Sequence, residues 1–172
     1  KNTRQKDFLI QEFIKGIPAS TSVICNLSER INLSLNGQWI KLENPYSKSQ
    51  YLGGYVPLKI DRKIRESVFR ESDKTIKSLN PLRGYIGIDV ILSGSKVYVV
   101  DVNLRFTTSY IGLRKILEPN PLDVLLRTLE KRRIPTKIDT KGYCFFIKTS
   151  NTQIKNIEYT SPKLGPHNII LI

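Results

Sequence analysis

Two strand-like runs of this chain carry carboxylates where a buried strand ordinarily carries aliphatic side chains. Gly84-Tyr85-Ile86-Gly87-Ile88-Asp89-Val90-Ile91-Leu92 holds Asp89, and Val97-Tyr98-Val99-Val100-Asp101-Val102-Asn103-Leu104-Arg105 holds Asp101, with Asn103 and Arg105 at alternate positions beyond it. Side chains alternate along a strand, so Asp101, Asn103 and Arg105 share one face, while Val100, Val102 and Leu104 share the reverse, core-packing face. An unpaired carboxylate in such a setting is costly, and two placed together are worse. A divalent cation resolves both problems. Mg²⁺ (or Mn²⁺) takes oxygen ligands, typically one or two carboxylates together with nucleotide phosphates, and two aspartates with an amide oxygen meet that demand. Arg105 can then hold a phosphoryl oxygen by a charge-assisted pair. The plainer alternative is that the acids edge a hairpin and pair with nearby lysines.

Register decides between these. Asp89 lies opposite Asp101 only if the connection is a three-residue loop or one strand carries a bulge. A two-residue Gly94-Ser95 turn in a regular ladder would set Asp89 against Val100 and throw Asp101 to the other face.

The elements that must position these residues follow from pattern. Phe8-Leu9-Ile10 running into Gln11-Glu12-Phe13-Ile14 reads as a strand ending at Lys15-Gly16-Ile17-Pro18. Thr21 to Leu27 and Ile31 to Leu35 read as short strands separated by Ser28-Glu29-Arg30. Asn36-Gly37 reads as a hairpin turn, because both residues tolerate positive φ, with Gln38 to Leu42 returning as a strand. Residues 43–58 read as loop, where the Gly53-Gly54 pair makes either a tight turn or a close approach for a ligand. From Asp61 the period becomes helical: Ile64, Val68, Ile76 and Leu79 form a stripe with Ser72 at the missing step, capped by Asp61 and stopped at Asn80-Pro81. Asn120-Pro121 starts another helix with Leu122, Leu125, Leu126 and Leu129 as its buried stripe. Strands follow near Tyr143–Ile147, Ile154–Tyr159 and Asn168–Ile172, as a small extra sheet or an oligomer contact. The expected fold class is α+β, a mainly antiparallel sheet flanked by helices.

The 172 residues carry a net charge of +13, with 40% apolar residues, which fits one globular domain or a domain with a short appendage. No apolar run is long enough for a transmembrane helix, and the charged start, Lys1-Asn2-Thr3-Arg4-Gln5-Lys6, is not a signal peptide. The chain does not begin with Met, and a piece of a longer protein is expected. Cys25 and Cys144 lie in apolar runs without the paired spacing of a metal site, which reads as two buried small hydrophobes in a reducing, cytoplasmic compartment. His167 falls in a Gly-Pro-His-Asn turn and reads as an exposed loop residue. The basic residues are scattered, and only Lys131-Arg132-Arg133 is a tight run, at a helix end where cations suit the dipole. Such a surface attracts small anions such as nucleotides, and a nucleic-acid or membrane partner is not expected. The rival reading is a non-catalytic basic module that binds nucleic acid or protein through Tyr46, Tyr51, Tyr55 and neighbouring lysines.

Gly87-Ile88-Asp89-Val90 followed by Val99-Val100-Asp101-Val102-Asn103-Leu104-Arg105 resembles the metal-binding hairpin of ATP-grasp carboxylate–amine ligases. Gln11-Glu12-Phe13-Ile14-Lys15-Gly16 resembles that family's adenine hinge, at about the expected distance upstream. Thr107-Thr108-Ser109-Tyr110 is similar to members that join amino acids or amines to acids, and among them to an archaeal tyramine–glutamate ligase-like subgroup. The resemblance covers about residues 8–117. It implies the C-terminal lobe of such an enzyme over 1–117, with 118–172 a helix and small β extension of the same unit and the N-terminal lobes absent. It implies ATP and Mg²⁺ as cofactors, and small carboxylate and amine substrates joined through an acyl phosphate. By analogy Gln11, Glu12, Phe13 and Ile14 bind the nucleotide, the Glu12 carbonyl and Ile14 N–H reading adenine. Asp89, Asp101 and Asn103 would bind metal, and Arg105 the transferred phosphate or acyl phosphate. Three departures stand out: Asp101 replaces the family's usual Glu, one methylene shorter; Pro18 stands where many members carry an acid for the ribose; and the family's glycine-rich loop and phosphate-binding lysines precede the hinge, almost where this sequence begins.

Overall fold

The computed structural model describes residues 10–42, 49–79 and 81–148, together with the backbone of 167–171. Strands β1 (Ile17–Cys25), β2 (Arg30–Lys41) and β3 (Gln50–Val56) precede helix α1 (Arg62–Ser78), and the hairpin β4 (Gly84–Ser93) and β5 (Lys96–Asn103) follows it. Helix α2 (Tyr110–Ile116), β6 (Leu117–Glu118), α3 (Pro121–Leu129), β7 (Asp139–Thr140), β8 (Tyr143–Ile147) and β9 (His167–Leu171) complete the order. Seven strands form one sheet in the order β5-β4-β1-β2-β3-β8-β9, antiparallel except for the β8–β9 pair, and β6 and β7 make a separate two-stranded ladder. The fold is therefore α+β with a mainly antiparallel sheet. No helix among the described residues is long and apolar enough to cross a membrane.

Helices cover the two faces of the sheet unequally. On one face α1 lays Val68 and Ile76 over Ala19, Val23, Leu35, Ile86, Ile88, Val90 and Leu92. Ser72 sits in this seam fully buried and bonds to Thr21 Oγ1 at 3.0 Å, so the polar step in the stripe is satisfied. Asp61 caps the helix by accepting from the Lys63 N–H at 2.8 Å. Leu79, expected in the stripe, is instead the exposed C-cap residue. On the opposite face α2 and α3 bring Leu113, Ile116, Val124 and Leu125 against Ile24, Val56, Tyr85, Cys144 and Phe146. Asn120 caps α3 as expected, but the stripe is rotated: Pro121, Val124, Leu125 and Thr128 are buried, while Leu122, Leu126 and Leu129 are exposed.

Four further expectations are corrected. Among described residues of the first run, 10–16 form no strand; they are mostly exposed and pair with nothing in the sheet, while Phe8 and Leu9 lie outside the described residues. Asn36-Gly37 is not a turn. It lies inside β2, opposite Ser20 and Ala19, because the real turn falls earlier, where Asn26 Oδ1 accepts from the N–H groups of Ser28 and Glu29 at 2.9 and 2.6 Å. Gly53-Gly54 is neither a turn nor a ligand approach but part of β3, and the backbone that comes close is that of β8: a Cβ on Gly53 would lie 2.1 Å from the Phe146 carbonyl oxygen. His167 opens β9 rather than sitting in a turn. The run 154–159 lies outside the described residues. Cys25 and Cys144 are free and buried, in the two separate cores.

Candidate functional site

α2 and α3 cover only the end of the sheet where β1 finishes and β4 begins. The other end of that face, towards residues 10–17, stays open, and polar side chains of β2, β4 and β5 stand on it. β4 and β5 are joined by the two-residue turn Gly94-Ser95, which alone would misplace Asp101. A bulge restores it: Val90 pairs with Val99 and Asp89 with Asp101, so Val100 is the extra residue. The core-packing expectation for the reverse face holds only for Val102; Val100 is 56% and Leu104 63% exposed, Val100 because the bulge turns it into a cleft.

The carboxylates converge on one amide. Asn103 Nδ2 donates to Asp89 Oδ2 at 3.2 Å and to Asp101 Oδ2 at 3.1 Å, and Gln38 Nε2 donates to Asp89 Oδ1 at 2.9 Å. Burial raises the Asp89 pKa above the usual carboxylate range, and the Asp101 charge adds to it; the bonds from Gln38 and Asn103 and the Arg105 charge pull it back. Tyr51, at the start of β3, feels the same carboxylate: burial first, then Asp89, push its phenol up to about 12 against a hydrogen bond with Thr108. It stays protonated at neutral pH. Arg105 lies just past β5, exposed, with Nη1 donating to the Phe106 carbonyl at 3.2 Å. Beneath α2, Tyr85 donates to Ser22 Oγ at 2.7 Å and Asn36 Nδ2 to the same oxygen at 2.9 Å, while Asn36 Oδ1 is buried with no partner among the described residues.

A cleft of about 630 Å³ opens beside the carboxylates, in the size range of small-molecule sites. Gln11, Glu12, Phe13 and Ile14 form one wall, Pro18, Ile40 and Leu42 another, and Ile91, Tyr98, Val99 and Val100 a third. The chain thus brings the hinge-like segment and the acidic hairpin, 75 or more residues apart in sequence, to the edges of one open face. Sequence reasoning missed Gln38, Ser22 and Asn36, and singled out Tyr51 only as a stacking residue of the rival basic module. Placing a turn at Asn36-Gly37 destroyed the parity that would have put Asn36 and Gln38 on the face of Asp89.

The donor set suits a hard divalent ion. It is all oxygen, and among the described residues no three His, Cys, Asp or Glu side chains gather as a softer metal would need. Two close carboxylates, one half-buried and held above its usual pKa, are the tension such an ion relieves. Asn103 must turn its amide to offer Oδ1, since Nδ2 now faces both acids.

Replacing Gln38 by leucine removes a charge-assisted donor that holds the Asp89 pKa down and is expected to raise it further. Carboxyl-carbon NMR titration of wild type and Gln38→Leu reads the shift directly; an unchanged Asp89 would show that the contact is absent in solution.

Residues 1–109 match the family model described as an ATP-grasp domain. A tyramine–L-glutamate ligase of Methanocaldococcus jannaschii is 35% identical over 147 residues, which cover 85% of this chain and 43% of that protein. Among solved structures, an Archaeoglobus fulgidus chain described as belonging to the ATP-grasp superfamily aligns with TM-score 0.60 and 26% identity over 77% of this chain and 39% of its own. L-amino acid ligase from Bacillus licheniformis aligns with TM-score 0.65 and 15% identity over 76% and 33%, a likeness of fold. The chain spans less than half the length of the curated relatives it matches.

Proposed function

The chain belongs to the ATP-grasp family, and from that premise we propose that it supplies the nucleotide- and metal-binding lobe of an ATP- and Mg²⁺-dependent ligase joining a carboxylate to an amine. The observation that carries the reading is the single Asn103 amide bonded to both Asp89 and Asp101 at the edge of the cleft lined by Gln11–Ile14. In the proposed reaction a substrate carboxylate oxygen attacks the γ-phosphorus of ATP and the bond to the β-bridging oxygen breaks, giving an acyl phosphate and ADP. The amine nitrogen then attacks the acyl carbon, phosphate leaves, and the nitrogen gives up a proton. Such chemistry needs positioning and charge stabilisation rather than a protein nucleophile.

Each group has a part in this scheme. The Glu12 carbonyl and Ile14 N–H read the adenine edge while Phe13 and Val100 supply apolar walls. Asp89, Asp101 and Asn103 hold Mg²⁺, which when bound neutralises charge on the phosphates. The Arg105 guanidinium orients the transferred phosphoryl group. Residues 1–117 form the lobe and 118–172 an extension belonging to the same unit, a unity supported by β8 pairing directly with β3. The name of the Methanocaldococcus relative makes tyramine and L-glutamate the first substrates to test, and an archaeal cytoplasm the setting; the free, buried cysteines support the latter. The rival basic module finds less support, since the Tyr55 ring packs against Trp39 and Phe145.

Binding of a fluorescent ATP analogue to the full-length protein, with and without Mg²⁺, tests the reading. Asp101→Ala and Asn103→Ala are each expected to weaken Mg²⁺-dependent binding by about 10- to 100-fold. Affinity indifferent to both substitutions removes the ligase proposal.

A further inference from the structure

A second concentration of cations lies at the far end of the sheet, where the nucleotide reading has no use for it. The β1–β2 turn, the residue before β4 and the C-terminal end of α3 enclose a cleft of about 400 Å³ lined by Arg83, Lys131, Arg132 and Arg133. β1 runs from the hinge end to this end, so its nine residues separate the two clefts by roughly 25–30 Å at the usual strand rise. Glu29 is the acid of the lining, and its Oε2 accepts from the Ile134 N–H at 3.4 Å; Glu130, next to the cleft, pairs through Oε2 with Arg132 Nε at 3.1 Å. Arg83 donates to the Leu129 carbonyl, which ties the start of β4 to the end of α3.

Helix polarity explains part of the cluster, because cations suit a helix C-terminus. It accounts for Arg83 as well, whose guanidinium reaches the Leu129 carbonyl at that terminus, but not for the backbone at Lys131. α3 ends with the Arg132 N–H donating to the Arg127 carbonyl at 2.8 Å and the Lys131 N–H to the Thr128 carbonyl at 3.3 Å. That double bond pattern puts residue 131 in the left-handed region, at φ 60, the position where glycine is favoured. A lysine there costs ~1 kcal/mol, and what it adds over glycine is a cation at the wall of this cleft. Four cations against Glu29 in the lining, with Glu130 paired to Arg132 beside it, leave an excess of positive charge that attracts anions.

We propose that this cleft binds a small polyanion, of the class of di- and triphosphates or phosphorylated metabolites, at a site separate from the nucleotide cleft. Its volume fits a small molecule.

Titration of inorganic tripolyphosphate into the full-length protein, in chelator to exclude metal and followed by calorimetry, tests this. Arg83→Gln and Arg133→Gln are each expected to weaken binding at least 5-fold. Lys131→Gly is expected to weaken it similarly while raising the melting temperature, so the loss cannot come from misfolding. Equal affinity in wild type, Arg83→Gln and Lys131→Gly would overturn the proposal. So would an equal loss in Lys63→Gln, an exposed cation on α1, because only bulk charge would then be read. Tighter binding of an oligonucleotide through the same arginines would replace a small ligand with a nucleic acid.

Discussion

Asp89→Asn is expected to abolish Mg²⁺-dependent ATP binding, by on the order of 100-fold, while leaving the ligand-free protein at least as stable as wild type near neutral pH. The two effects have one cause. Burial and the neighbouring Asp101 hold the folded-state pKa of Asp89 above the ordinary aspartate value. Between that ordinary value, ~3.9, and the raised one, the folded chain binds more protons than the unfolded chain. The stability contributed by this group is therefore complete below ~3.9 and lost as pH rises through the folded value, so at neutral pH ionised Asp89 is a standing cost. Asparagine keeps an oxygen to accept from Gln38 and carries no charge to desolvate. Melting curves from acidic to neutral pH should show the Asp89-dependent decline in wild type and its absence in Asp89→Asn. Asp89→Asn with wild-type Mg²⁺-dependent affinity would remove Asp89 from the metal set; Asp89→Asn less stable than wild type at neutral pH would show that the carboxylate's bonds outweigh its desolvation.

That paired carboxylates were visible at all owes to contrast: an aspartate inside Gly87-Ile88-Asp89-Val90 stands out against aliphatic neighbours with a period of two. Their register was only half legible. Gly94-Ser95 is recognisable as a turn, but the extra residue at Val100 depends on cross-strand pairing and leaves no mark in either strand alone. Asn36-Gly37 shows the opposite failure. Its local turn preference is strong, yet β1 lies along one side of β2 and β3 along the other, and their ladders keep the chain extended. Gln38 was lost with that misreading. α3 shows a third kind. Its cap was legible in Asn120-Pro121, but which face is buried is chosen by the partner surface; Thr128 is tolerated inside because its hydroxyl bonds to the Val124 carbonyl at 2.7 Å, while three leucines remain outside. α2 is seven residues long and too short to announce itself by period.

Gly53→Ala is expected to carry the largest stability loss of any single methyl added to the sheet, at least ~3 kcal/mol, combining a backbone penalty with overpacking. Gly53 has φ 140, outside the range that residues with a side chain favour, and the added carbon would meet the Phe146 carbonyl oxygen at 2.1 Å and the Ile147 Cα at 3.0 Å. Neither neighbour can yield: β3 is pinned by β2 on one side and β8 on the other, and Phe146 is fully buried among Val56, Leu113 and Ile116. Gly84 supplies the control. It also has positive φ, at 114, but a Cβ there meets nothing within 4 Å, so Gly84→Ala should lose only the backbone part, ~1–2 kcal/mol. Urea unfolding of the three proteins measures the difference, and it also tests the proposed unity of the lobe with its extension. If β8 belongs to the same cooperative unit, wild type unfolds in one transition and Gly53→Ala lowers its midpoint without splitting it. A separate early transition in wild type, with amides of residues 143–147 exchanging ahead of β1 and β4, would instead make the extension an independent unit and confine the Gly53→Ala loss to the β3–β8 seam.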